Sequence, residues 1–466
     1  MKISKIKINN YLHFEQGLEI DLTYPLGHPK AGEPLDKVCF LGQSGTGKTT
    51  LLNLVQYFTS ENLDNRNIRL DTTRFSEECI EISFQLADHK FTKVWSDEMK
   101  KLRFRDLHYN PPKYVEEGYF RKEISQNLKL CIPLVLNFPF SIVGPDDIEN
   151  DDTMGQHNIK FSAGKGELEN FETNREVWNF NKDEIRHIWN IVYKEIESYI
   201  SEYKSQESFY FNRIKTSPTD SANILQQFSE WESNNPNPIE KLAKECLNPI
   251  LKHFNLEVEY DLDTYKTESS KTSNRYIIIR NKQNNEEVKY PFLSTGTKQV
   301  MLTSIPLFFI KPKHSIILFD QPETSLYPNI QLLLPQTYIE IAPDNQFVFA
   351  THSPIVASAF DPWEIVELKF NDGTGFVGRK EYYDTSDQRN VDNYLINPKF
   401  LTWDSNYKKL FSVKEQGHDE RTVGLMELAE LEEQMSGTDD IEEKKRLFKE
   451  YEKLANLLDW KILDNA

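Results

Sequence analysis

A glycine-rich turn between a buried strand and an apolar helix constrains this chain more than any other feature. An apolar run at 38–41 precedes Gly42, and another apolar run follows Thr49. The turn matches the pattern G-x-x-x-x-G-K-[ST], with Gly47 and Lys48 in its second half. The flanking strand and helix are the context in which this pattern binds phosphate. The alternative is a glycine-rich turn that binds no ligand.

Each residue type in the turn suits a nucleoside triphosphate. Glycines let the backbone wrap the phosphates closely, and the N-terminus of the following helix adds a positive field. Lys48 is expected to reach the β and γ phosphates, and the Thr49 hydroxyl to ligate Mg²⁺. We therefore expect ATP and Mg²⁺ as cofactors. The predicted nucleotide-binding residues are Gly42, Gln43, Ser44, Gly45, Thr46, Gly47, Lys48, Thr49 and Thr50.

Composition sets limits on the class of protein. The 466 residues allow two or three domains, or one large domain with insertions. A net charge of −18 argues against a broad surface for nucleic acid, although a local basic groove is compatible with it. No apolar stretch of about eighteen residues and no signal peptide is seen, so we expect a cytoplasmic protein without a membrane partner. The cysteines lack C-x-x-C spacing and are predicted to be buried thiols: Cys39, Cys79, Cys131 and Cys246.

Apolar periodicity predicts the elements around the turn. Alternation predicts strands at 2–9 and 18–22, and a hairpin formed by 80–86 and 91–95. The run 131–137 is typical of a core strand. The acidic segment that follows it is either a metal site or, more in keeping with its spacing, a solvated loop: Asp146, Asp147, Glu149, Asp151 and Asp152.

The second half of the chain alternates between helical and strand patterns. Residues 181–253 show helical periodicity, broken by the Asn/Pro cluster at 234–238, and we interpret them as an insertion, with plain core packing as the alternative. Strands are expected at 256–260 and 276–280. The stretch 422–460 is amphipathic and broken at Ser436-Gly437-Thr438, which predicts a helical hairpin.

Three further motifs follow the insertion. Leu293-Ser294-Thr295-Gly296 precedes an apolar helical run, which by itself indicates only an N-cap. The second motif is an apolar strand that ends at Asp320-Gln321-Pro322-Glu323. The third is another apolar strand, which ends immediately before His352. Because parallel strands end at one edge of a sheet, Asp320 and His352 are expected beside the phosphates.

This ordered set of motifs resembles the ABC/SMC-like ATPases, in particular the solitary ATPases of bacterial defence systems: the ATPase half of OLD-family nucleases and the Septu-type ATPase. The resemblance covers roughly 1–60, 130–145 and 290–360. It implies an α/β fold of the ABC type, a mixed sheet with flanking helices. The expected parts are the N-terminal half of the head (1–180), a helical insertion (181–255), the C-terminal half (256–412) and a helical hairpin (413–466).

The resemblance also implies roles. Asp320 would hold Mg²⁺ with Thr49, and His352 would contact the γ-phosphate. Ser294 and Gly296 would cap the γ-phosphate bound by a second copy, and residues 326–328 would form the loop that crosses between copies. A homodimer or higher homo-oligomer through the ATPase heads is thus implied. Asn137 is the nearest candidate for the glutamine loop.

One position departs from the usual pattern, in which a catalytic glutamate directly follows the metal-binding aspartate. Here that residue is Gln321, which can orient water but cannot take its proton. Either Glu323 serves as the base, or hydrolysis is slow and ATP mainly locks the dimer. Some defence-associated relatives look similar in carrying Asp-Gln-Pro-Glu, so we expect slow but real turnover.

Several functions fit such an ATPase. The favoured hypothesis is an ATP-dependent sensor and scaffold that controls a separate effector nuclease in anti-phage defence. The alternative is a DNA-clamping repair ATPase, which the net acidity and the short insertion oppose. A self-contained nuclease would need an acidic strand pattern after His352, and a transporter subunit would need an aromatic nucleotide-stacking loop; we see neither.

Overall fold

Two sheets and a set of helices hold the glycine-rich turn in place. The structure is a computed structural model that describes residues 1–59, 70, 72–86, 89–96, 101–107, 112–115, 135–139, 177–180, 182–268, 277–379, 382–384, 389–391, 397–410, 419–438 and 440–460. The predictions on Cys131 and on the acidic loop at 145–169 lie outside these residues.

The described part of the chain contains strands along most of its length, up to residue 391. They are β1 (Lys2–Ile8), β2 (Leu18–Asp21), β3 (Lys37–Gly42), β4 (Ile80–Leu86), β5 (His89–Ser96), β6 (Lys101–Asp106), β7 (Lys113–Val115), β8 (Val135–Phe138), β9 (Val177–Asn179), β10 (Leu256–Val258), β11 (Ile279–Asn281), β12 (Ile316–Asp320), β13 (Gln346–Thr351), β14 (Ile365–Phe370), β15 (Val377–Arg379), β16 (Tyr382–Asp384) and β17 (Arg389–Val391).

Helices occupy the predicted helical stretches, and four more lie where no helix was predicted. They are α1 (Lys48–Thr59), α2 (Lys182–Thr216), α3 (Ser221–Asn234), α4 (Pro238–Leu242), α5 (Asn248–Leu251), α6 (Leu262–Glu268), α7 (Thr295–Ile310), α8 (Pro328–Ile341), α9 (Pro354–Ala357), α10 (Trp403–Leu410), α11 (Asp419–Gly437) and α12 (Ile441–Leu457). The four that were not predicted are α6, α8, α9 and α10. The predicted break at 234–238 is confirmed. A second break, at the 3-10 turn Pro218–Asp220, was not predicted although Pro218 signals it.

A mixed sheet carries the phosphate-loop strand. Within the described part of the chain its order is β15-β14-β3-β13-β12-β8-β9. The pairs from β14 to β9 are all parallel, and β15 is antiparallel to β14. β12 and β13 are buried along their whole length, as expected for parallel strands covered on both faces. The carboxyl ends of β3, β12 and β13 therefore meet at one edge.

The antiparallel sheet has the order β2-β1-β4-β5-β6-β7 among the described strands, and it contains the predicted hairpin as β4 and β5. In β1 the register with β4 shifts between Ile3 and Lys5. This bulge is needed because Ile3 and Ile6 are an odd number of residues apart, yet both are fully buried. Simple alternation would have exposed one of them.

The two sheets and α1 share one hydrophobic core, which includes Ile6 and Ile82 from the antiparallel sheet, Phe40 and Val348 from the mixed sheet, and Leu54 from α1. Because β3 and α1 both belong to this core, it fixes the two elements that flank the phosphate loop.

A buried amide also joins the sheets. Gln346, at the start of β13, accepts a hydrogen bond from the Ile3 N–H (2.6 Å). Its side-chain nitrogen donates to the carbonyl oxygens of Ile3 and Leu35, each at 2.9 Å. All the polar groups of this amide are thus used to hold β1 and the start of β3 against β13.

The chain forms two compact units, residues 1–401 and 402–466. In the second, α11 and α12 pair around Leu428, Tyr451, Ala455 and Leu458, which confirms the predicted hairpin. The Asp440 side chain caps α12 by accepting from the Glu442 N–H. The four-part division at 180, 255 and 412 stays a prediction.

Candidate nucleotide site

The phosphate loop connects the carboxyl end of β3 to α1, as the motif predicts. Gly47 has a φ of +83°, and a Cβ atom placed on it would lie 2.6 Å from both His13 Nε2 and Phe14 Cζ. Only glycine fits this conformation and this space. Because α1 begins at Lys48, the free N–H groups of its first turn face the loop and favour an anion there.

Lys48 lies across the mouth of the loop. Its Nζ donates to the carbonyl oxygens of Gly42 (2.8 Å) and Gln43 (2.9 Å), and the residue is only 4% exposed. Burial lowers the pKa of Lys48 to about 8, while the carboxylates of Asp320 and Glu323 oppose that shift. The site thus holds a positive charge next to the backbone that would wrap the phosphates.

Asp320 lies at the end of β12, in contact with the helix that follows the loop. The Thr49 hydroxyl donates to Asp320 Oδ2 at 2.8 Å. Asp320 Oδ1 is buried and has no hydrogen-bond partner among the described residues. Burial raises the pKa of Asp320, and the Thr49 hydrogen bond and the Lys48 charge oppose it. The Thr49 hydroxyl and the Asp320 carboxylate, with its unused Oδ1, form an oxygen donor set that fits Mg²⁺.

A tight turn after β12 brings Glu323 back to the neighbouring strand. Gln321 adopts a left-handed conformation (φ 50°), and its N–H donates to the Ala350 carbonyl oxygen (2.8 Å). The Thr351 hydroxyl at the end of β13 donates to Glu323 Oε1. Glu323 Oε2 is buried without a described partner, and burial raises the pKa of Glu323 to about 7. This carboxylate is therefore poised to accept a proton near neutral pH.

His352 follows β13 directly and reaches the phosphate loop from the other side. Its Nδ1 lies 3.4 Å from the Gly42 carbonyl oxygen, and the side chain is half-buried. Burial, and then the charge of Lys48, lower the pKa of His352. The structure thus brings Lys48, Thr49, Asp320, Glu323 and His352 together within one chain.

Ser294 and Gly296 belong to a second cluster. Ser294 caps α7 by accepting from the Thr297 N–H (3.1 Å), and it is exposed. A Cβ atom placed on Gly296 would lie 2.6 Å from the Ser325 carbonyl oxygen and 2.9 Å from Leu326 Cδ2. The start of α7 therefore packs on the loop after Glu323. Among the described hydrogen bonds, none joins Ser294 or Gly296 to residues 42–50 of the same chain.

Two residues at the site were not predicted, and one predicted candidate takes part in a separate hydrogen-bond network. The Asn137 amide donates to Gln56 Oε1 (3.0 Å) and Asn179 Oδ1 (2.9 Å), so this glutamine-loop candidate is engaged in a buried network. His13 and Thr351 were not predicted. Thr351 could have been found from its sequence position, because it is a hydroxyl residue directly before the strand-end His352. His13 has no comparable sequence signal, only its position after β1.

Among the helices of the described residues, none is both long and apolar enough to span a bilayer.

Solved structures similar to this chain include heads of SMC proteins. An SMC head bound to the C-terminal winged-helix domain of ScpA has a TM-score of 0.42 and 11% identity, with 82% of this chain and 98% of that chain covered. The SMC head domain from Thermotoga maritima has a TM-score of 0.39 and 14% identity, with 82% of this chain and 100% of that chain covered. A third structure is a Pyrococcus furiosus SMC head with an extended coiled coil, bound to the C-terminal domain of ScpA. It has a TM-score of 0.40 and 12% identity, with 81% of this chain and 96% of that chain covered.

A search of curated proteins finds no match to this sequence. Residues 1–357 match the family AAA_15, described as AAA ATPase domain. The match includes residues 181–255, which lie outside the segments that carry the resemblance, and ends before the C-terminal unit. The predicted fold class, a P-loop ATPase head with a mixed sheet, is confirmed, and the coarse prediction of a nucleotide-binding ATPase stands with it. The chain belongs to the AAA_15 family of AAA ATPase domains.

Proposed function

We propose that this ATPase hydrolyses ATP slowly in pockets that two facing copies complete, with Glu323 as the general base. The observation that carries the proposal is the arrangement around β12 and β13. Asp320 contacts Thr49 of the phosphate loop. The Glu323 carboxylate lies beside Thr351 at the end of the next strand, with one oxygen hydrogen-bonded and one unused. A metal-holding acid and a separate base are what hydrolysis of a phosphoanhydride requires.

Each side chain has a definite role in this proposal. Lys48 exchanges its contacts with the loop carbonyls for the phosphate oxygens of ATP, and His352 contacts the γ-phosphate. Thr49 and Asp320 hold Mg²⁺, which when bound neutralises charge on the β and γ phosphates. Glu323 takes the proton of the attacking water.

The choice of Glu323 over Gln321 as base follows from chemistry. An amide cannot accept the proton, whereas the raised pKa of Glu323, about 7, matches the task. The Gln321 backbone is committed to the turn, since its carbonyl oxygen accepts from the Thr324 N–H and hydroxyl. Gln321 is left to orient water, which supports turnover that is slow but real.

A second copy is proposed because Ser294 is exposed at the N-terminus of α7 and makes none of the described hydrogen bonds to its own phosphate loop. A helix N-terminus of this kind favours an anion. The neighbouring loop exposes Tyr327, which is 70% accessible. In a head-to-head homodimer this surface would cap the γ-phosphate held by the other copy, and higher oligomers could form from such dimers.

Complementation between two inactive variants tests this arrangement. Lys48→Ala removes the phosphate lysine, and Ser294→Arg blocks the cap without touching the phosphate loop of its own chain. Mixed together, they form a heterodimer in which the phosphate loop of the Ser294→Arg chain faces the intact Ser294 of its partner. That one pocket is complete. The double variant, carrying both changes in each chain, has no complete pocket and is the matched control.

We expect each variant alone to be inactive in phosphate release and the mixture to regain a fraction of wild-type turnover. The double variant should stay inactive alone and when it is mixed with either single variant at any ratio. If the mixture is no more active than its components, or if Ser294→Arg alone turns over at the wild-type rate, the composite pocket is wrong.

The cellular role is a further part of the proposal. We propose that the dimer acts in the cytoplasm as a sensor and scaffold that controls a separate effector nuclease in anti-phage defence. What supports it is the resemblance carried by Asp320-Gln321-Pro322-Glu323 and by the other motifs. Cells expressing the chain with the product of a neighbouring nuclease gene should resist phage, and Lys48→Ala should abolish that resistance. Equal plaque counts with wild type and variant would reject this role.

A further inference from the structure

Five residues around the base form a closed ring of hydrogen bonds. The Glu323 carbonyl oxygen accepts from the Leu326 N–H (3.0 Å), and the Leu326 carbonyl oxygen accepts from Gln331 Nε2 (2.8 Å). Gln331 Oε1 accepts from the Ser353 hydroxyl (2.7 Å), and the Ser353 N–H donates to Thr351 Oγ1 (2.8 Å). The Thr351 hydroxyl donates to Glu323 Oε1, which closes the ring.

The ring links the loop after β12 to α8 and to the segment that runs from the end of β13 into α9. Glu323 and Leu326 belong to the loop after β12, Gln331 to the first turns of α8, and Thr351 and Ser353 to the end of β13 and the cap of α9. Side chains in a helix lean toward its N-terminus, which is why Gln331 reaches back to the Leu326 carbonyl oxygen.

The two ends of the Gln331 side-chain amide join the loop, at Leu326, to Ser353 after β13. Thr351 is fully buried and spends its hydroxyl on Glu323, while Ser353 Oγ also accepts from the Ile355 and Val356 N–H groups. These residues are therefore held by α9 and β13. The loop exposes Tyr327. Its first residues are bonded to β13 through the Gln321 N–H and the Glu323 carboxylate, and its far end, at Leu326, is bonded to Gln331.

We propose that Gln331 is a positioning residue, which fixes the loop after Glu323 to the end of β13 and thereby holds the base carboxylate in the orientation that hydrolysis needs. This inference rests on the proposed role of Glu323 as base. A second copy that docks on the exposed loop would act on the same hydrogen bonds. Dimerisation would therefore change the orientation of the Glu323 carboxylate.

Two variants of Gln331 separate the two ends of the amide. Gln331→Leu removes both hydrogen bonds. Gln331→Glu keeps an acceptor for the Ser353 hydroxyl and loses the donor to Leu326. Gln331 is half-buried, whereas Gln336 on the same helix is exposed and bonds only to Glu340 among the described residues, so Gln336→Leu is the matched control.

We expect Gln331→Leu to lower kcat about tenfold while the KM and the equilibrium affinity for a fluorescent ATP analogue stay within about twofold of wild type. Gln331→Glu should lower kcat less, and Gln336→Leu should have no effect. Unchanged nucleotide affinity also shows that the variants fold. Amide hydrogen exchange gives a readout without turnover: the amides of Leu326 and Ser353 should exchange faster in Gln331→Leu than in Gln336→Leu.

Comparison with Glu323→Gln distinguishes the two levels of inference. If Glu323→Gln loses turnover but Gln331→Leu keeps wild-type kcat and wild-type exchange at both amides, the positioning role is wrong and the proposed function stands. If Glu323→Gln turns over normally, the base assignment fails instead. If Gln331→Leu lowers kcat and the nucleotide affinity by the same factor relative to wild type, Gln331 has only a structural role, and the proposal is overturned.

Discussion

Gly296→Ala tests the packing between the start of α7 and the loop after Glu323. The added methyl group would lie 2.6 Å from the Ser325 carbonyl oxygen, whereas ordinary contacts begin at 3.4 Å. The neighbour is backbone and cannot rotate away, so the loop must move by roughly 0.8 Å or α7 must tilt. The first route displaces the loop that leads from the base to Tyr327, and the second moves Ser294 at the start of α7.

The expected size of the effect follows from two opposing terms. Overpacking at a close contact costs about 1–3 kcal/mol, while replacing glycine by alanine in a helix stabilises by about 1 kcal/mol. The net loss in the free energy of unfolding should therefore be small, at most about 2 kcal/mol. Turnover is more sensitive, because a displacement near 1 Å can cost up to about 100-fold in rate.

Steady-state hydrolysis, nucleotide affinity and thermal unfolding measure these quantities separately. We expect kcat to fall about 10- to 100-fold with nucleotide affinity unchanged, because the phosphate loop is not touched. Gly437→Ala at the end of α11 is the control, since its added methyl group meets nothing within 4 Å. A Gly296→Ala variant with the kcat and the melting temperature of wild type would refute the packing described for this loop.

Four further predictions concern the phosphate loop, the acids and Thr351. Lys48→Ala should abolish ATP binding in equilibrium titrations; unchanged affinity would remove the central assignment. Gln321→Glu should raise the hydrolysis rate by adding a base at the usual position, and an unchanged rate would mean that Glu323 already suffices. Because the base works deprotonated and its pKa is raised to about 7, kcat/KM should rise as pH climbs through about 7. Thr351→Val removes a hydrogen bond that lowers this pKa, so it should move the rise to higher pH; the same midpoint in both would contradict the pairing.

The parts of the site that could be predicted are those set by local sequence or by strand order. The phosphate loop depends on a short motif, and its position between β3 and α1 follows from the adjacent apolar runs. The Thr49 contact with Asp320 was foreseeable because parallel strands end at a common edge. Hence the acid at the end of β12 had to lie near the loop after β3.

What could not be predicted depends on contacts between distant segments. The contact of His13 with Gly47 requires knowledge of how the loop after β1 folds over the site. The Thr351 bond to Glu323 depends on a left-handed turn at Gln321, a conformation that glutamine rarely signals. Strand β14 was missed although it pairs with β3 itself. Its residues 366–370 alternate apolar and polar side chains, so the sequence did carry a strand signal there.

The neighbours of β3 have a consequence for how the protein is made. Among the described strands β3 pairs only with β13 and β14, which lie roughly 300 residues further along the chain. At about 5–20 residues per second, a ribosome needs on the order of 15–60 seconds to supply them. For that interval the nascent strand that leads into the nucleotide loop waits with both edges unpaired, and the pocket cannot exist until translation is largely complete.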